Sequence, residues 1–210
     1  MKIAIIGYGG MGGYHAELLH QFAAEGGALT LAGIYDIDPA RAELARKNGI
    51  RAYASAEEIW ADKEVSAVLI AVPNDVHAPY VAAAAAAGKD IICEKPIGLS
   101  LKEAEGMYAA AEKAGVLFEV HQNRRWDDDF LTVKKIFESE EIGGVYKIES
   151  RVTGANGIPG DWRKKKAQGG GMMLDWGVHL IDQMFQMVPG KTESLYCEYS
   201  YIYGEEVDGG

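Results

Sequence analysis

Short apolar runs alternate with helix-like segments over the first 120 residues. Strands are predicted at residues 2–6, 29–35, 51–53, 67–72, 91–93 and 117–120. Between them, helices are predicted at residues 11–24, 39–47, 56–61, 76–87 and 101–114. The run at 67–72 is apolar throughout, which is typical of a strand buried on both faces. The alternation therefore predicts an α/β fold with a doubly wound parallel sheet of six strands.

A different pattern begins at residue 123. Helices are predicted at 127–138 and 172–188, and strands at 144–153 and 194–203. Apolar and polar positions alternate in the first of these strands, which is typical of a half-buried antiparallel strand. We therefore expect a domain at 1–122 and a second, α+β domain with a mostly antiparallel sheet at 123–210. Two strands make a thin sheet, so we expect the second domain to be incomplete and the chain to be a fragment.

Composition excludes several kinds of partner. The 210 residues carry a formal net charge of −10, whereas nucleic-acid binding needs clustered Lys and Arg. The one strong basic run, three lysines at 164–166, is interpreted as a solvated loop. No apolar stretch reaches the length of a membrane span, and no Cys spacing predicts a zinc site. We expect a cytoplasmic protein that binds neither nucleic acid, membrane nor metal.

A glycine-rich motif follows the first predicted strand and opens the first predicted helix. Its sequence is Gly7-Tyr8-Gly9-Gly10-Met11-Gly12. Gly7 permits a tight turn, Gly9 allows the backbone to approach a pyrophosphate, and Gly12 allows close packing of helix on strand. The helix N-terminus would face the phosphates. The motif predicts a dinucleotide site with Gly7, Gly9, Gly10, Met11 and Gly12 as cofactor contacts.

An acidic residue, Asp36, ends the second predicted strand. A carboxylate here can accept hydrogen bonds from the adenosine ribose, and it would repel the 2′-phosphate of NADP. We therefore predict NAD as the cofactor, with NADP less favoured. Asp36 could instead be a turn residue or a helix cap, but Asp38, directly before Pro39, is the better cap.

Further candidates stand where later strands end. Because cofactors bind at the carboxyl edge of such a sheet, we predict cofactor contacts from Pro73, Asn74, His77, Glu94 and Lys95. For His77, a packing or substrate-rim role is favoured over catalysis. Lys95 could donate to a substrate oxygen if burial lowered its pKa, or it could be a surface lysine paired with Glu94.

The second region carries its own polar motif, in which three glycines at 169–171 precede a helix. Asp175, His179 and Asp182 share one face of that helix. A carboxylate beside a histidine can orient a substrate and assist proton transfer, although a surface pair would have the same spacing.

Together these motifs resemble the Gfo/Idh/MocA family, the group of glucose-fructose oxidoreductase and inositol dehydrogenase. The matching residues are Gly7 to Gly12, Val72-Pro73-Asn74 with His77, Ala87-Gly88-Lys89, Cys93-Glu94-Lys95-Pro96, and Gly169-Gly170-Gly171 with Asp175-Trp176-Gly177-Val178-His179. The resemblance implies a Rossmann domain followed by an open sheet that often mediates homo-oligomerisation. It also implies that Lys95 and His179 contact the reacting hydroxyl, with His179 as proton acceptor, and that Asp175 holds the substrate.

The resemblance extends to the start of the second region, where residues 123–126 are similar to a stretch at the domain junction. It places Asn123 and Arg124 among the substrate contacts, and we add Trp162 to that set. The implied activity is hydride transfer between a secondary alcohol of a sugar, cyclitol or related polyol and the nicotinamide. Two alternatives stay open: NAD-dependent glycoside cleavage, and a non-catalytic NAD-binding regulator. The sequence does not identify the substrate, the direction of the reaction or the oligomeric state.

Overall fold

The computed structural model describes residues 1–154, 162–188, 190–201 and 206–209. The chain divides into two compact units, Met1–His121 and Gln122–Gly210.

The first unit is built on a parallel sheet of five strands. The strands are β1 (Lys2–Ile6), β2 (Thr30–Tyr35), β3 (Ala67–Ile70), β4 (Asp90–Glu94) and β5 (Phe118–His121), in the spatial order β2-β1-β3-β4-β5. The predicted doubly wound α/β fold is confirmed. The chain runs to one side of β1 first and then to the other, so the order reverses between β1 and β3. Ligands of open α/β sheets bind at the carboxyl end of such a reversal.

The prediction of a sixth strand at 51–53 is wrong. Ala52 forms a single parallel bridge with Ile34, through bonds from Ile34 N–H to Arg51 O and from Tyr53 N–H to Ile34 O, both 2.8 Å. A β-bulge in β2, where the pairing with β1 shifts register, bends the edge of the sheet at this point. The segment therefore touches the sheet at one residue and does not extend it.

Five helices accompany the sheet: α1 (Gly10–Ala24), α2 (Pro39–Lys47), α3 (Ala56–Ala61), α4 (His77–Ala86) and α5 (Leu101–Ala114). Asp38 caps α2 by accepting the Ala40 N–H, as predicted. Side chains of β1 point alternately into two apolar cores, with Ala4 and Ile6 in one and Ile3 and Ile5 in the other. Strand β1 is therefore buried on both faces, and the glycine-rich turn follows directly from its carboxyl end.

The second unit contains the helices α6 (Asp128–Ser139) and α7 (Val178–Met187). The helix predicted at 172–188 is present, but its first part, Met173–Gly177, is a π-helical turn. Among the described residues of this unit no strand is formed, so 144–153 and 194–201 do not adopt the predicted strands; residues 202–203 lie outside the described part. A strand needs a hydrogen-bonded neighbour, and these segments are mainly exposed. The antiparallel sheet stays a prediction.

Across the described residues, none of the helices combines the length and the apolar character that crossing a lipid bilayer requires.

Candidate functional site

The glycine-rich turn lies at the point where the strand order reverses. At Gly7, which has φ +92°, an added Cβ would lie 2.4 Å from Ala71 O, and at Gly12 it would lie 2.0 Å from Gly7 O. Added Cβ atoms at Gly9 and Gly10 would meet nothing within 4 Å. Gly7 and Gly12 are thus required by packing, whereas Gly9 and Gly10 border open space.

The N-terminus of α1 has no side-chain cap, because its N-cap residue is Gly9. The first-turn N–H groups of a helix have no partner within the helix, and together with the helix dipole they attract an anion. With the open space at Gly9 and Gly10, this arrangement fits a dinucleotide pyrophosphate. Met11 lies half-buried in the same turn.

Asp36 follows β2 and braces the glycine-rich turn. Its Oδ2 accepts the Tyr8 N–H at 2.6 Å, and its Oδ1 accepts the Asp38 N–H at 2.8 Å. An ionised carboxylate has about four acceptor positions, so capacity remains for ribose hydroxyls. Both the turn-stabilising role and the ribose-binding role considered from the sequence are therefore compatible with this geometry.

His77 begins α4 and lies wholly inside the first unit, with 0% exposure. Its Nδ1 lies 2.9 Å from Pro96 O and its Nε2 lies 3.0 Å from Val72 O. Burial lowers the pKa of His77, although hydrogen bonds to the two carbonyls favour the charged form. The ring does not reach the surface, which favours the packing role considered from the sequence, and the predicted contact of His77 with the cofactor stays a prediction. Pro73 is half-buried and Asn74 buried at the same strand end.

Glu94, the last residue of β4, is buried, and its predicted contact with the cofactor stays a prediction. It is 5% exposed, and its Oε1 lies 2.6 Å from His15 Nε2 and 3.1 Å from His121 Nδ1. Burial by itself would raise the pKa of Glu94, but hydrogen bonds from His121 and His15 and their charges outweigh burial and lower it to about 2. Glu94 is therefore an ionised, internal carboxylate. Lys95 follows it and is half-buried at the carboxyl edge of the sheet.

Among the described residues, the side chains of His15, Glu94 and His121 form a group that could hold a metal ion. The donor atoms of His15, Glu94 and His121 all lie within 4.8 Å of one another. Neither histidine was predicted as a site residue, although each had a signal. His15 follows the packed Gly12 by three positions, so it shares the face of α1 that meets the sheet. His121 ends the last strand, at the carboxyl edge.

The second unit positions Asp175 and His179 around the start of α7. Asp175 lies in the π-helical turn, with its Oδ1 3.7 Å from Arg163 Nε. His179 is 4% exposed, and its ring lies edge-on to Trp176 with 6.0 Å between centroids. The Asp208 carboxylate accepts the Met173 N–H at 2.8 Å. The tail of the chain thus caps this helix, a contact that the sequence did not suggest.

The predicted substrate residues of the second unit lie on short turns. Asn123 and Arg124 belong to the 3-10 turn Asn123–Trp126, where the Arg124 guanidinium stacks 4.2 Å above the Trp176 ring. Trp162 begins another 3-10 turn, and the Arg163 guanidinium stacks over its ring, 4.5 Å from the ring centroid. Asp182 was predicted to share a helix face with His179. Its carboxylate accepts two hydrogen bonds from the Arg125 guanidinium, of 2.8 and 2.6 Å. Asp182 therefore anchors α7.

Comparison with known proteins gives matches in both units. Residues 1–122 match the model of an oxidoreductase family with an NAD-binding Rossmann fold, and residues 130–209 match the GFO/IDH/MocA C-terminal domain. The scyllo-inositol 2-dehydrogenase (NADP(+)) IolW of Bacillus subtilis is 31% identical over 94% of this chain and 55% of its own length. The myo-inositol 2-dehydrogenase of Thermotoga maritima is 30% identical over 99% of this chain and 60% of its own.

A solved structure shows the same architecture. The crystal structure of an NAD-binding protein from Listeria innocua matches with a TM-score of 0.94 and 45% identity, covering 99% of this chain and 60% of that one. The chain spans about half the length of the curated relatives it matches.

Proposed function

The chain belongs to the Gfo/Idh/MocA oxidoreductase family, and from that membership we propose that the protein is an NAD-dependent dehydrogenase of a polyol. The reaction is hydride transfer between a secondary alcohol of a sugar or cyclitol and the nicotinamide. The observation that carries the proposal lies within the first unit. An uncapped helix N-terminus in a glycine cradle and a half-buried Lys95 occupy the same carboxyl edge of one sheet.

Different residues bind different parts of the dinucleotide. The N–H groups of the first turn of α1 bind the pyrophosphate, and Asp36 accepts hydrogen bonds from the adenosine ribose. Pro73 and Asn74 border the path of the cofactor beyond the end of β3. The matched family model, described as an NAD-binding Rossmann fold over residues 1–122, supports this assignment.

The chemistry assigned to the protein is the movement of one proton. When bound, NAD supplies the acceptor for the hydride that leaves the alcohol carbon. His179 takes the hydroxyl proton as the C–O bond becomes a carbonyl, since an imidazole titrates near neutral pH. Lys95 donates a hydrogen bond to a substrate oxygen, and Asp175 accepts a hydrogen bond from a substrate hydroxyl. The alcohol thus loses a hydride and a proton, and the ketone and NADH are formed.

Cyclitols are the first substrates to test. Two relatives that align over nearly the whole chain carry the names scyllo-inositol 2-dehydrogenase and myo-inositol 2-dehydrogenase. Half-buried polar and aromatic side chains, such as Asp175 and Trp162, suit a ring with several hydroxyls, because hydroxyls need hydrogen-bond partners while the ring carbons pack on aromatic faces.

The test is NADH formation, followed by absorbance, with a panel of inositols and sugars. We expect Lys95→Ala and His179→Ala each to lower turnover about a hundredfold or more while the Kd for NAD changes little. Lys102→Ala and His20→Ala are matched controls on exposed helical positions and should keep full activity. Stoichiometric NADH separates dehydrogenation from glycoside cleavage, which returns the cofactor to NAD. Normal turnover in either alanine variant with unaltered NAD binding would refute the role of that residue.

A further inference from the structure

Glu94 joins three segments of the first unit through one buried carboxylate. His15 approaches it from the second turn of α1, and His121 approaches it from the end of β5. Its other oxygen, Oε2, lies 3.3 Å from the Lys95 backbone nitrogen, a long hydrogen bond that Lys95 donates. The helix that presents its N-terminus to the cofactor and the strand end that carries Lys95 are thus linked.

The direction of the hydrogen bonds follows from charge. An ionised carboxylate only accepts, so the imidazole nitrogens that face Oε1 each carry a proton. Both histidines therefore act as donors to Glu94, and the His15 and His121 rings also meet edge to face with centroids 4.8 Å apart. Without these donors the carboxylate would be a buried charge lacking compensation, which strongly disfavours the folded arrangement.

The residue on the other side of Lys95 is held in the same manner. The His77 Nδ1 lies 2.9 Å from Pro96 O and its Nε2 lies 3.0 Å from Val72 O. Because burial lowers the pKa of His77, the neutral ring donates one of these two hydrogen bonds. Buried imidazoles therefore contact both chain neighbours of Lys95, and these contacts restrain the backbone that carries its side chain.

We propose that His15 and His121 are positioning residues, which act through Glu94 to hold Lys95 and the first turns of α1 in the arrangement that binds NAD. This inference rests on the proposed function, in which Lys95 meets the substrate oxygen. It assigns to the two histidines a role that requires no contact with substrate or cofactor.

A metal ion held by the same three side chains is the alternative. On a tetrahedral zinc ion with bonds near 2.0 Å, neighbouring ligand atoms stand about 3.3 Å apart. His15 Nε2 and Glu94 Oε1 are only 2.6 Å apart. That separation is a charge-assisted hydrogen bond, so the geometry favours direct bonds over a metal.

The test compares two substitutions at His15 that differ in hydrogen bonding. Gln can place an amide N–H near the position of Nε2, whereas Leu keeps bulk and cannot donate. We expect His15→Leu to weaken NAD binding at least tenfold by calorimetry and to change the labelling rate of Lys95 by an amine-reactive reagent at least threefold. Exposed Lys102, read in the same mass spectra, should label at an unchanged rate. His15→Gln should stay within about twofold of the unmodified protein in both measurements.

A merely structural role predicts a different result: His15→Leu would lower the melting temperature but leave the NAD affinity and Lys95 labelling unchanged, and that outcome would overturn the proposal. Should His15→Leu fail to fold, His121→Leu makes the same comparison from the partly exposed end of the network, with His121→Asn as its rescue. Glu103→Gln is the matched carboxylate control, since Glu103 accepts the Leu99 N–H at 2.8 Å in the loop after Lys95.

Two further outcomes separate the possibilities. If Lys95→Ala turns over normally while His15→Leu still changes NAD affinity and Lys95 labelling, the catalytic role of Lys95 fails and the positioning network stands. If Zn²⁺ binds one to one with submicromolar Kd and the binding is lost in His15→Leu, the site is a metal centre and the proposed network is wrong.

Discussion

Gly9 and Gly12, both in the glycine-rich turn, differ in what surrounds them. An added Cβ at Gly12 would meet backbone, at 2.0 Å from Gly7 O, and no rotamer change can relieve that contact. An added Cβ at Gly9 would enter open space, and the backbone φ of −78° there suits any residue. Gly12 is therefore needed for packing, whereas we predict that Gly9 is needed for approach of the ligand.

We therefore expect opposite results from two alanine substitutions. Gly12→Ala should lower the free energy of unfolding by about 2 kcal/mol or more, because helix and strand must move apart. Gly9→Ala should unfold within about 0.5 kcal/mol of the unmodified protein and lose NAD affinity at least tenfold. Urea unfolding and calorimetry measure the two effects, and Gly13→Ala, whose Cβ also meets nothing within 4 Å, is the control. Equal losses of stability in both variants would contradict this division.

We predict that Asp36 sets the cofactor preference by its charge. A carboxylate repels the 2′-phosphate of NADP, and Ile37, which is 85% exposed, offers no cation in its place. We expect the unmodified protein to bind NAD more tightly, and Asp36→Ser combined with Ile37→Arg to shift the preference toward NADP. Calorimetry with both dinucleotides decides this. The relative from Bacillus subtilis that is named as an NADP(+) enzyme makes the measurement informative; tighter NADP binding by the unmodified protein would show the prediction to be wrong.

Elements of the first unit are connected by a buried lysine. Lys89 precedes β4 and is 7% exposed, and its ammonium donates to Asp62 O at 2.7 Å and to Val65 O at 2.8 Å. The two carbonyls belong to the connection between α3 and β3. Lys89 thus links the turn before β4 to the segment that leads into β3.

Removing that ammonium should weaken the sheet. We expect Lys89→Met to cost about 2 kcal/mol of unfolding free energy, because two carbonyls lose their charged donor while the apolar stem remains. Lys63→Met, at an exposed position in the same connection, should change stability by less than about 0.5 kcal/mol. Denaturant titrations compare the two, and an indistinguishable pair would mean that the buried bonds contribute nothing net.

At the scale of the whole molecule, the two units differ in regular structure. The first unit has a complete hydrogen-bonded sheet with a core on each face. In the second unit, long segments on either side of α7 are exposed and form no strand in the described part of the chain. Tyr146 is 98% exposed, Leu195 87% and Tyr196 85%.

Limited proteolysis should reveal this difference. A protease needs several residues in an extended, unfolded stretch, so chymotrypsin should cut first near Tyr146, Leu195 or Tyr196 and leave the first unit intact. Leu101 and Leu117, each 75% exposed but within the first unit, are internal controls for side-chain exposure alone. Early cleavage at either control would show that the first unit opens as readily as the second.

The sequence by itself determined those features that depend on local pattern. Period and apolar runs identify strands and helices, because a buried face imposes its own spacing on the chain. The glycine-rich turn and Asp36 could be found in the same way, since backbone conformation and strand ends are local properties. The family motif around Lys95, Asp175 and His179 added their candidate roles, which stay predictions.

Only the tertiary structure decided which distant side chains meet. His15 and Glu94 are 79 positions apart, and they come together because β4 ends at the edge of the parallel sheet at which α1 begins. His77 and Glu94 were predicted as ligand contacts from their places after β3 and at the end of β4, but only the structure shows that both are buried and contact distant segments of the first unit. In the described part of the chain, the strands predicted at 144–153 and 194–201 are not formed, which shows the same limit. Alternating apolar and polar positions indicate a face that can be buried, whereas a strand forms only where a neighbouring strand supplies its hydrogen bonds.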